Sequence, residues 1–396
     1  MPDLSFCDVP VVVAALSACA LLVSGVADQS YGASCGPPGR VEVRHDAAVF
    51  TVSVLLNLTG YDEEHAESFH PVRKRIRQQM ADELPAELVA EFKEFQGSHP
   101  THFTSYIVFA LLTEGPPSFA PRDVEAVAPE EGAVGAGWQG VWHSHVTSVR
   151  SQLAGLELIL EKAWGVPAVR RAFGNVEQET MQHGMPRASA RNCGTEAAIT
   201  YFKADPSHLR VKQVIIPNLL MSHRQALGFP MGRATFLTVE GPDTGSLGPA
   251  DPQAVGDPHE FLHILVAPAT REPSRVKTYP ARFGELFRRA MMYPIVEESY
   301  TSHEGWVDEC TVKAVACRIA YDAGRPLAPI GDPACPLAVQ EASHGFLLEA
   351  WFYGKLAEYE QGDISFTEWF EQTVEQTTTE AVLEQLEALG IIVRDS

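Results

Sequence analysis

The segment HEFLH at residues 259–263 constrains this chain more than any other feature of its sequence. Its two histidines are four residues apart, so on a helix they lie on one face and can present both imidazoles to one metal ion. Glu260 then stands beside that ion, where its carboxylate can take a proton from a metal-activated water. The segment predicts a zinc site that contains His259 and His263, with Glu260 as the general base.

The residues that follow within the same helix are strongly apolar, which bears on how the two histidines are used. Phe261, Leu262 and the run ILV at residues 264–266 predict a buried helix. Polar groups on a buried helix need partners, and a shared metal ion would supply one for both imidazoles. Two alternatives stay open: histidines that hydrogen-bond to backbone carbonyls in a core, or a motif that arises by accident in a chain with 14 histidines.

A catalytic zinc site needs a third protein ligand, and Glu309 in the stretch WVDEC is the candidate. On a helix Glu309 shares its face with Trp306 and Val312. A carboxylate on such an apolar strip is costly unless it is neutralised or binds a cation. Glu309 is therefore predicted as the third ligand, and the alternative is an ion pair with Lys313 four residues later.

Two other acidic residues precede Glu309 and are assigned different roles. Glu304 follows Thr301 at the spacing of a capping box, which predicts that both residues serve the start of the helix. Asp308 shares a helical face with Glu304 and Thr311, so it is expected to be exposed to solvent.

A hydrolytic site also needs a donor that stabilises the oxyanion, and three side chains between the two ligand-bearing segments could supply it. They are Tyr293, Tyr300 and His303, of which Tyr293 and His303 are included with Glu260 as predicted catalytic residues. Packing is the alternative role for each of them. A second histidine pair, His143 and His145, has the spacing of one strand face but no acidic ligand nearby, and is read as ordinary.

The 396-residue chain is long enough for two or three packed units. Segments 211–222 and 232–241 are rich in β-branched and apolar residues around a polar turn, and predict an antiparallel pair of strands. Helical periodicity dominates elsewhere. We predict an α+β fold with a small antiparallel sheet, divided into an N-terminal signal or anchor segment at 1–34, a helix-rich region at 40–205, a catalytic region at 206–330 and C-terminal helices at 338–396.

Charge and the N-terminal segment limit the partners and the location. Lys and Arg number 30 against 51 Asp and Glu, and a net charge of −21 repels phosphate backbones, which argues against nucleic-acid binding. Residues 9–26 carry no charge and resemble an export signal. Export to the periplasm or exterior is therefore predicted, with an uncleaved anchor or lipidation at Cys19 as alternatives. Any membrane attachment would run through this segment alone.

With HEFLH followed by Glu309 in WVDEC, the chain resembles the gluzincins, zinc peptidases whose ligands are two motif histidines and a glutamate from a later helix. Together with LNLTGY, the segments VIIPNLL, PHEFLH and WVDECTVKAV look more closely like a bacterial secreted family catalogued as a domain of unknown function. The resemblance implies a zincin-like catalytic domain that binds Zn²⁺ and hydrolyses a peptide or protein substrate. It also implies that the strand near residues 233–240 is the substrate-binding edge. The alternative function is a non-catalytic extracytoplasmic binding protein with a structural or vestigial zinc site.

Overall fold

The computed structural model describes residues 41–394 apart from eight internal gaps, at 64–65, 67–68, 129–135, 204–211, 223–224, 233–234, 243–258 and 323–335. The predicted signal or anchor segment at 1–34 lies outside the described residues. Within the described ranges, no helix combines the length and the apolar character that crossing a membrane requires.

The first half of the described chain is mainly helical, as its sequence predicts. Helix α1 shows why: its sequence AAVFTVSVLLNL is apolar nearly all round, so the helix is buried rather than amphipathic. Asp46 precedes it, and its carboxylate accepts the backbone N–H groups of Ala48 and Val49, both at 3.0 Å. The helices of this half are α1 (Ala47–Leu58), α2 (Pro71–Glu83), α3 (Ala86–Ser98), α4 (Phe103–Leu111), α5 (Val124–Val127), α6 (Ala136–Gln152), α7 (Leu156–Gly165) and α8 (Pro167–Tyr201).

A four-stranded mixed sheet combines one strand that precedes these helices in the chain with three strands that follow them. Its strands are β1 (Val41–Val43), β2 (Lys212–Pro217), β3 (Ala226–Pro230) and β4 (Thr235–Glu240), in the spatial order β1-β2-β4-β3. β1 and β4 both run parallel to β2, and β3 is antiparallel to β4.

The predicted antiparallel pairing of the segments 211–222 and 232–241 is wrong. These segments form β2 and β4, which pair in parallel with Lys212 opposite Thr235. The pairing differs from the prediction because of the segment ALGFP between them, which the sequence predicts to be part of a turn. It forms β3, so the chain reverses twice before β4 begins, and β4 inserts between β2 and β3.

The sheet separates two apolar clusters because successive strand residues point to opposite faces. Leu237 and Val239 of β4 pack into a cluster formed mainly by α1 to α8. Phe236 packs into a second cluster, formed mainly by the helices that follow the sheet. The described protein is therefore mixed α+β, mostly helical, with a small sheet between two apolar clusters.

The second half of the chain is again helical. Its elements are α9 (His259–Thr270), α10 (Pro273–Val276), α11 (Tyr279–Ala290), α12 (Pro294–Ser299), α13 (His303–Asp322), α14 (Pro336–Ala342), α15 (Leu347–Gln361), α16 (Phe366–Gln376) and α17 (Thr379–Ala388). α9 packs against α13, and α13 packs against α15. The predicted helical C-terminal closure is thus confirmed, and the two segments that carry the candidate ligands are neighbours.

Candidate metal centre

Helix α9 carries the HEFLH segment and begins at His259. His259, Glu260 and His263 are all buried, with exposed fractions between 3 and 5%. The two imidazole rings lie one helical turn apart, with centroids separated by 5.1 Å and planes at 85°. The predicted helix through this motif is confirmed, and its two histidines lie on the same side of it.

The C-terminal end of α9 is held by side chains from the segment that follows it. Pro268 lies in the last turn and has no backbone N–H to donate. The Arg275 guanidinium donates to the carbonyl of Ala269, and the Tyr279 hydroxyl donates to that of Thr270 at 2.6 Å. These bonds satisfy carbonyls at the helix end and fix the helix that carries the histidines.

Helix α13 brings Glu309 to both histidines. Its Oε1 lies 3.3 Å from His259 Nε2, and its Oε2 lies 3.6 Å from His263 Nε2. One candidate ligand atom from each residue can be chosen so that all three lie within 4.8 Å of one another. Two atoms bound tetrahedrally to one zinc ion at about 2.0–2.2 Å are about 3.3–3.6 Å apart. The fold thus brings the three predicted ligands together with spacings that fit a metal ion.

The charge state of Glu309 suits a metal ligand. Burial alone would raise the pKa of this carboxyl, but His259, Lys313 and His263 outweigh burial and lower it to about 2. Lys313 Nζ lies 3.8 Å from Glu309 and only 2.8 Å from Glu341 Oε2. The predicted alternative for Glu309, an ion pair with Lys313, is therefore present in addition to the histidine contacts. Glu341 is the nearer partner of this ammonium.

Asp308 is buried, with an exposed fraction of 0%, so the expectation that it is solvated is wrong. Its Oδ2 accepts from His263 Nδ1 at 2.8 Å and from Arg271 Nη2 at 2.9 Å, and its Oδ1 accepts from the Thr270 hydroxyl. Burial would raise the pKa of Asp308, but Arg271 and His263 hold it well below its usual value. Asp308 is buried although it shares a face with polar residues, because other helices, among them α9 and α15, pack around α13.

The predicted capping box of Thr301 and Glu304 is also wrong. α13 begins at His303, and the hydroxyl of Ser302 accepts the backbone N–H of Gly305 at 3.2 Å. Glu304 faces Arg271 instead, with Oε1 at 3.5 Å from Nη1. Its carboxylate belongs to the charge network behind His263.

Tyr293 and His303, two of the three candidate oxyanion donors, make their contacts with the C-terminal segment and with Phe287. The Tyr293 hydroxyl is near the C-terminal segment, 3.5 Å from the carbonyl of Ile392 and 3.4 Å from the N–H of Arg394. The His303 ring packs on Phe287, with centroids 4.5 Å apart. Neither placement favours a role in chemistry at the three ligands.

Tyr300, the third candidate, lies among the acidic residues of the centre. Burial, together with Glu309, Cys310 and Glu260, raises the pKa of the Tyr300 phenol well above its ordinary value. The phenol therefore keeps its proton at neutral pH and can donate a hydrogen bond. Since both Glu309 and Glu260 contribute to this shift, the Tyr300 phenol lies in the electrostatic environment of the predicted third ligand and the predicted general base.

Glu260 packs against the backbone of β3 at Gly228. A Cβ at Gly228 would lie 2.5 Å from Glu260 Oε2 and 2.6 Å from Phe236 Cζ. The absence of a side chain at this position therefore makes room for the carboxylate. β3 is the strand of the described sheet that borders Glu260, and it is an edge strand. The expectation that residues 233–240 form the edge is wrong, because β4 is paired on both sides.

Replacement of Gly228 by Ala should impair the site through this contact. We expect the added methyl to displace the Glu260 carboxylate and to lower the free energy of unfolding by about 1–3 kcal/mol. A displacement near 1 Å should reduce any hydrolytic rate about a hundredfold. Thermal unfolding measures the loss of stability. The rate at which a denatured protein is hydrolysed measures the loss of activity. Gly174→Ala is the matched control, since a Cβ there meets nothing within 4 Å. Equal rates for both variants would contradict the prediction.

Four features of the centre were not predicted from the sequence: the burial of Asp308, the roles of Arg271 and Gly228, and the Lys313–Glu341 pair. The adjacent acidic residues in WVDEC could have indicated Asp308, since a histidine ligand commonly donates its second ring N–H to a carboxylate.

His143 and His145 lie on helix α6, where residues two apart point to different sides, so the strand-like spacing assigned to them is wrong.

No family model matches this chain, and neither a curated protein nor a solved structure matches it. The resemblance to the gluzincins therefore rests on the motif and on the residues of the centre. A function for this chain can therefore be proposed only from the chemistry of these residues.

Proposed function

We propose that the chain is a zinc-dependent peptidase in which His259, His263 and Glu309 hold the metal ion. The observation that supports this proposal is the convergence of the three buried side chains at separations of 3.3 and 3.6 Å. Two imidazoles and one carboxylate are a common ligand set of catalytic zinc sites. A zinc ion bound there would lower the pKa of a bound water to about 7 and polarise the substrate carbonyl.

The other residues of the centre have separate roles in this proposal. Glu260 takes a proton from the attacking water and passes it to the leaving amine. Tyr300 donates a hydrogen bond to the carbonyl oxygen as negative charge develops on it. Asp308 accepts from His263 and orients its ring. The raised pKa of Tyr300 keeps its proton available for donation, and the lowered pKa of Asp308 keeps this carboxylate an acceptor.

An extended peptide would lie along β3 in this proposal. β3 pairs only with β4 among the described strands, and Gly228 on β3 contacts the Glu260 carboxylate. A peptide that adds as a further strand would gain backbone hydrogen bonds and pass the general base. The class of substrate is thus a peptide or an unfolded protein segment, and not a nucleic acid, which the charge of −21 repels.

Replacement of Tyr300 by Phe tests the proposed oxyanion donor. Loss of one such donor should reduce kcat about a hundredfold to a thousandfold while zinc content stays the same. Steady-state hydrolysis of a fluorogenic peptide library by the zinc-loaded chain measures the change.

Tyr293→Phe and His303→Ala are the matched controls, because their contacts lie with the C-terminal segment and with Phe287. Both should leave kcat within about twofold of wild type, as substitutions outside a site usually do. A larger loss in either control than in Tyr300→Phe would remove Tyr300 from the proposed mechanism.

A second candidate function is a non-catalytic binding protein in which the metal is structural. The observation that favours it is the exposed fraction of only 3 to 5% for the ligands and Glu260, since structural zinc sites are closed to solvent. A structural site has no need of a base beside its ligands, so the position of Glu260 favours the peptidase. Substitution of Glu260 separates the two functions.

Export is part of the proposal as well. It rests on the uncharged apolar run at residues 9–26, which lies outside the described residues. The proposed location is the periplasm, the exterior or the cell envelope through a lipid anchor at Cys19. The substrate would then be an extracytoplasmic peptide or protein.

A further inference from the structure

Behind His263, on the side away from Glu309, lies a line of buried charges. His263 Nδ1 contacts Asp308 Oδ2 at 2.8 Å, and Arg271 Nη2 contacts the same oxygen at 2.9 Å. Arg271 Nη1 in turn lies 3.5 Å from Glu304 Oε1. Asp308 and Arg271 have exposed fractions of 0% and 4%. Two charges buried this deeply need their partners in good geometry, so the line is a specific arrangement.

This line of charges determines which nitrogen of the His263 ring carries the proton. A neutral imidazole has one N–H and one lone pair, and which nitrogen carries the proton is set by the partner of the other. The carboxylate of Asp308 can only accept, so the nitrogen that faces it must be Nδ1–H. The lone pair then lies on Nε2, the atom that faces Glu309 at 3.6 Å.

Arg271 keeps the Asp308 carboxylate ionised, so that it can only accept hydrogen bonds. Its guanidinium places a positive charge against Oδ2, and the Thr270 hydroxyl donates to Oδ1. Thr270 closes α9 and Arg271 follows it, so the chain that carries His263 also carries the groups that hold its carboxylate partner. Asp308 of α13 therefore contacts α9 at His263 and Thr270, and it contacts Arg271 directly after the helix.

We propose that Asp308 and Arg271 form a positioning pair that keeps His263 in the Nδ1–H tautomer, with Nε2 aimed at the metal position before any metal binds. This inference rests on the proposed metal site but not on peptide hydrolysis. Neither residue touches the substrate or the metal. The pair acts through His263 and fixes one ligand in advance, which lowers the ordering that metal binding requires.

The direct test is nitrogen-15 NMR of the full chain with labelled histidine, stripped of metal and held near pH 8. The His263 signals, assigned by their absence in His263→Gln, should show a protonated Nδ1 and an unprotonated Nε2. A wild-type chain with the proton on Nε2 would overturn the proposal, whether or not the chain hydrolyses peptides. This readout does not depend on the folding of any variant at Asp308.

The second test compares two substitutions at Asp308 by zinc affinity, measured in competition with a chromophoric chelator. Asp308→Ala removes the acceptor and should weaken zinc binding about tenfold to a hundredfold. Asp308→Asn can still accept from His263 through its amide oxygen while its NH₂ faces Thr270, so it should recover most of the lost affinity. Equal affinities for Asp308→Ala and wild type would overturn the proposal.

Arg318→Gln is the matched control for a general loss of stability. Arg318 lies on α13 as well and forms an ion pair with Glu360. We expect this variant to lower Tm but to leave zinc affinity and the His263 tautomer unchanged. If Arg318→Gln weakened zinc binding as much as Asp308→Ala does, the effect at Asp308 would be structural and the positioning role would fail.

Discussion

Replacement of Glu260 by Gln should strongly reduce the hydrolysis of a denatured protein substrate while the metal stays bound. Gln has nearly the shape of Glu, so it should fit beside Gly228, but it cannot accept a proton from water at neutral pH. Loss of a general base reduces a rate typically by about 10²–10⁴-fold. The measurement is kcat of the zinc-loaded variant together with its zinc content.

Glu297→Gln is the matched control, because Glu297 lies exposed on α12 and carries the same chemical change. It should keep the rate and the zinc content of wild type. Equal activity in Glu260→Gln and wild type would contradict the role of the base. A chain that binds zinc but hydrolyses no peptide of a broad library would favour the structural metal site.

Replacement of His259 by Ala should remove the metal and, with it, all hydrolysis. His259 is the cleaner choice of the two motif histidines, because loss of His263 would also deprive Asp308 of a partner. Only two of the three proposed ligands would remain, so zinc should fall below about a tenth of an equivalent after dialysis against metal-free buffer. Elemental analysis measures the content directly.

Thermal unfolding gives an independent readout of the same variant. Zinc at about a thousand times its Kd should stabilise the wild-type chain by about 4 kcal/mol. In a chain of this length the gain corresponds to a Tm about 5 °C higher. His259→Ala should show no such gain, whereas His143→Ala on α6 should behave as wild type. A zinc-dependent Tm shift in His259→Ala equal to that of wild type would exclude His259 as a ligand.

The parts of the centre that the sequence predicts are those with short-range spacing. His259, Glu260 and His263 lie within five residues, and helical geometry alone places them together. Glu309 is predicted as a ligand because a carboxylate among apolar neighbours needs a cation. The apolar neighbours of Glu309 lie on its own helix, so its prediction does not depend on how α9 and α13 pack.

The parts that escaped prediction depend on contacts between distant segments. Asp308 is buried because helices α9 and α15 pack around α13. The sequence of α13 alone does not show that these helices cover it. The parallel pairing of β2 with β4 depends on β3, whose five residues contain a glycine and a proline and read as a turn. Gly228 is needed there because Glu260, 32 positions later in the chain, packs against it.

The charge network around Lys313 could not be predicted for the same reason. The sequence offers the i+4 pair with Glu309, which is present, but the nearer partner Glu341 comes from α14. The helical periodicity of the C-terminal region predicts its helices. It does not predict which of their carboxylates lies next to Lys313. The sequence therefore indicates the candidate ligands, and the structure adds the residues that contact them.

The most direct measurement is a crystal structure of the zinc-loaded chain with anomalous diffraction recorded on both sides of the zinc absorption edge. We expect one strong anomalous peak about 2.0–2.2 Å from His259 Nε2, from His263 Nε2 and from a carboxylate oxygen of Glu309. A zinc-saturated crystal with no peak among these three residues, or with its peak at other ligands, would contradict the metal centre and the peptidase built on it.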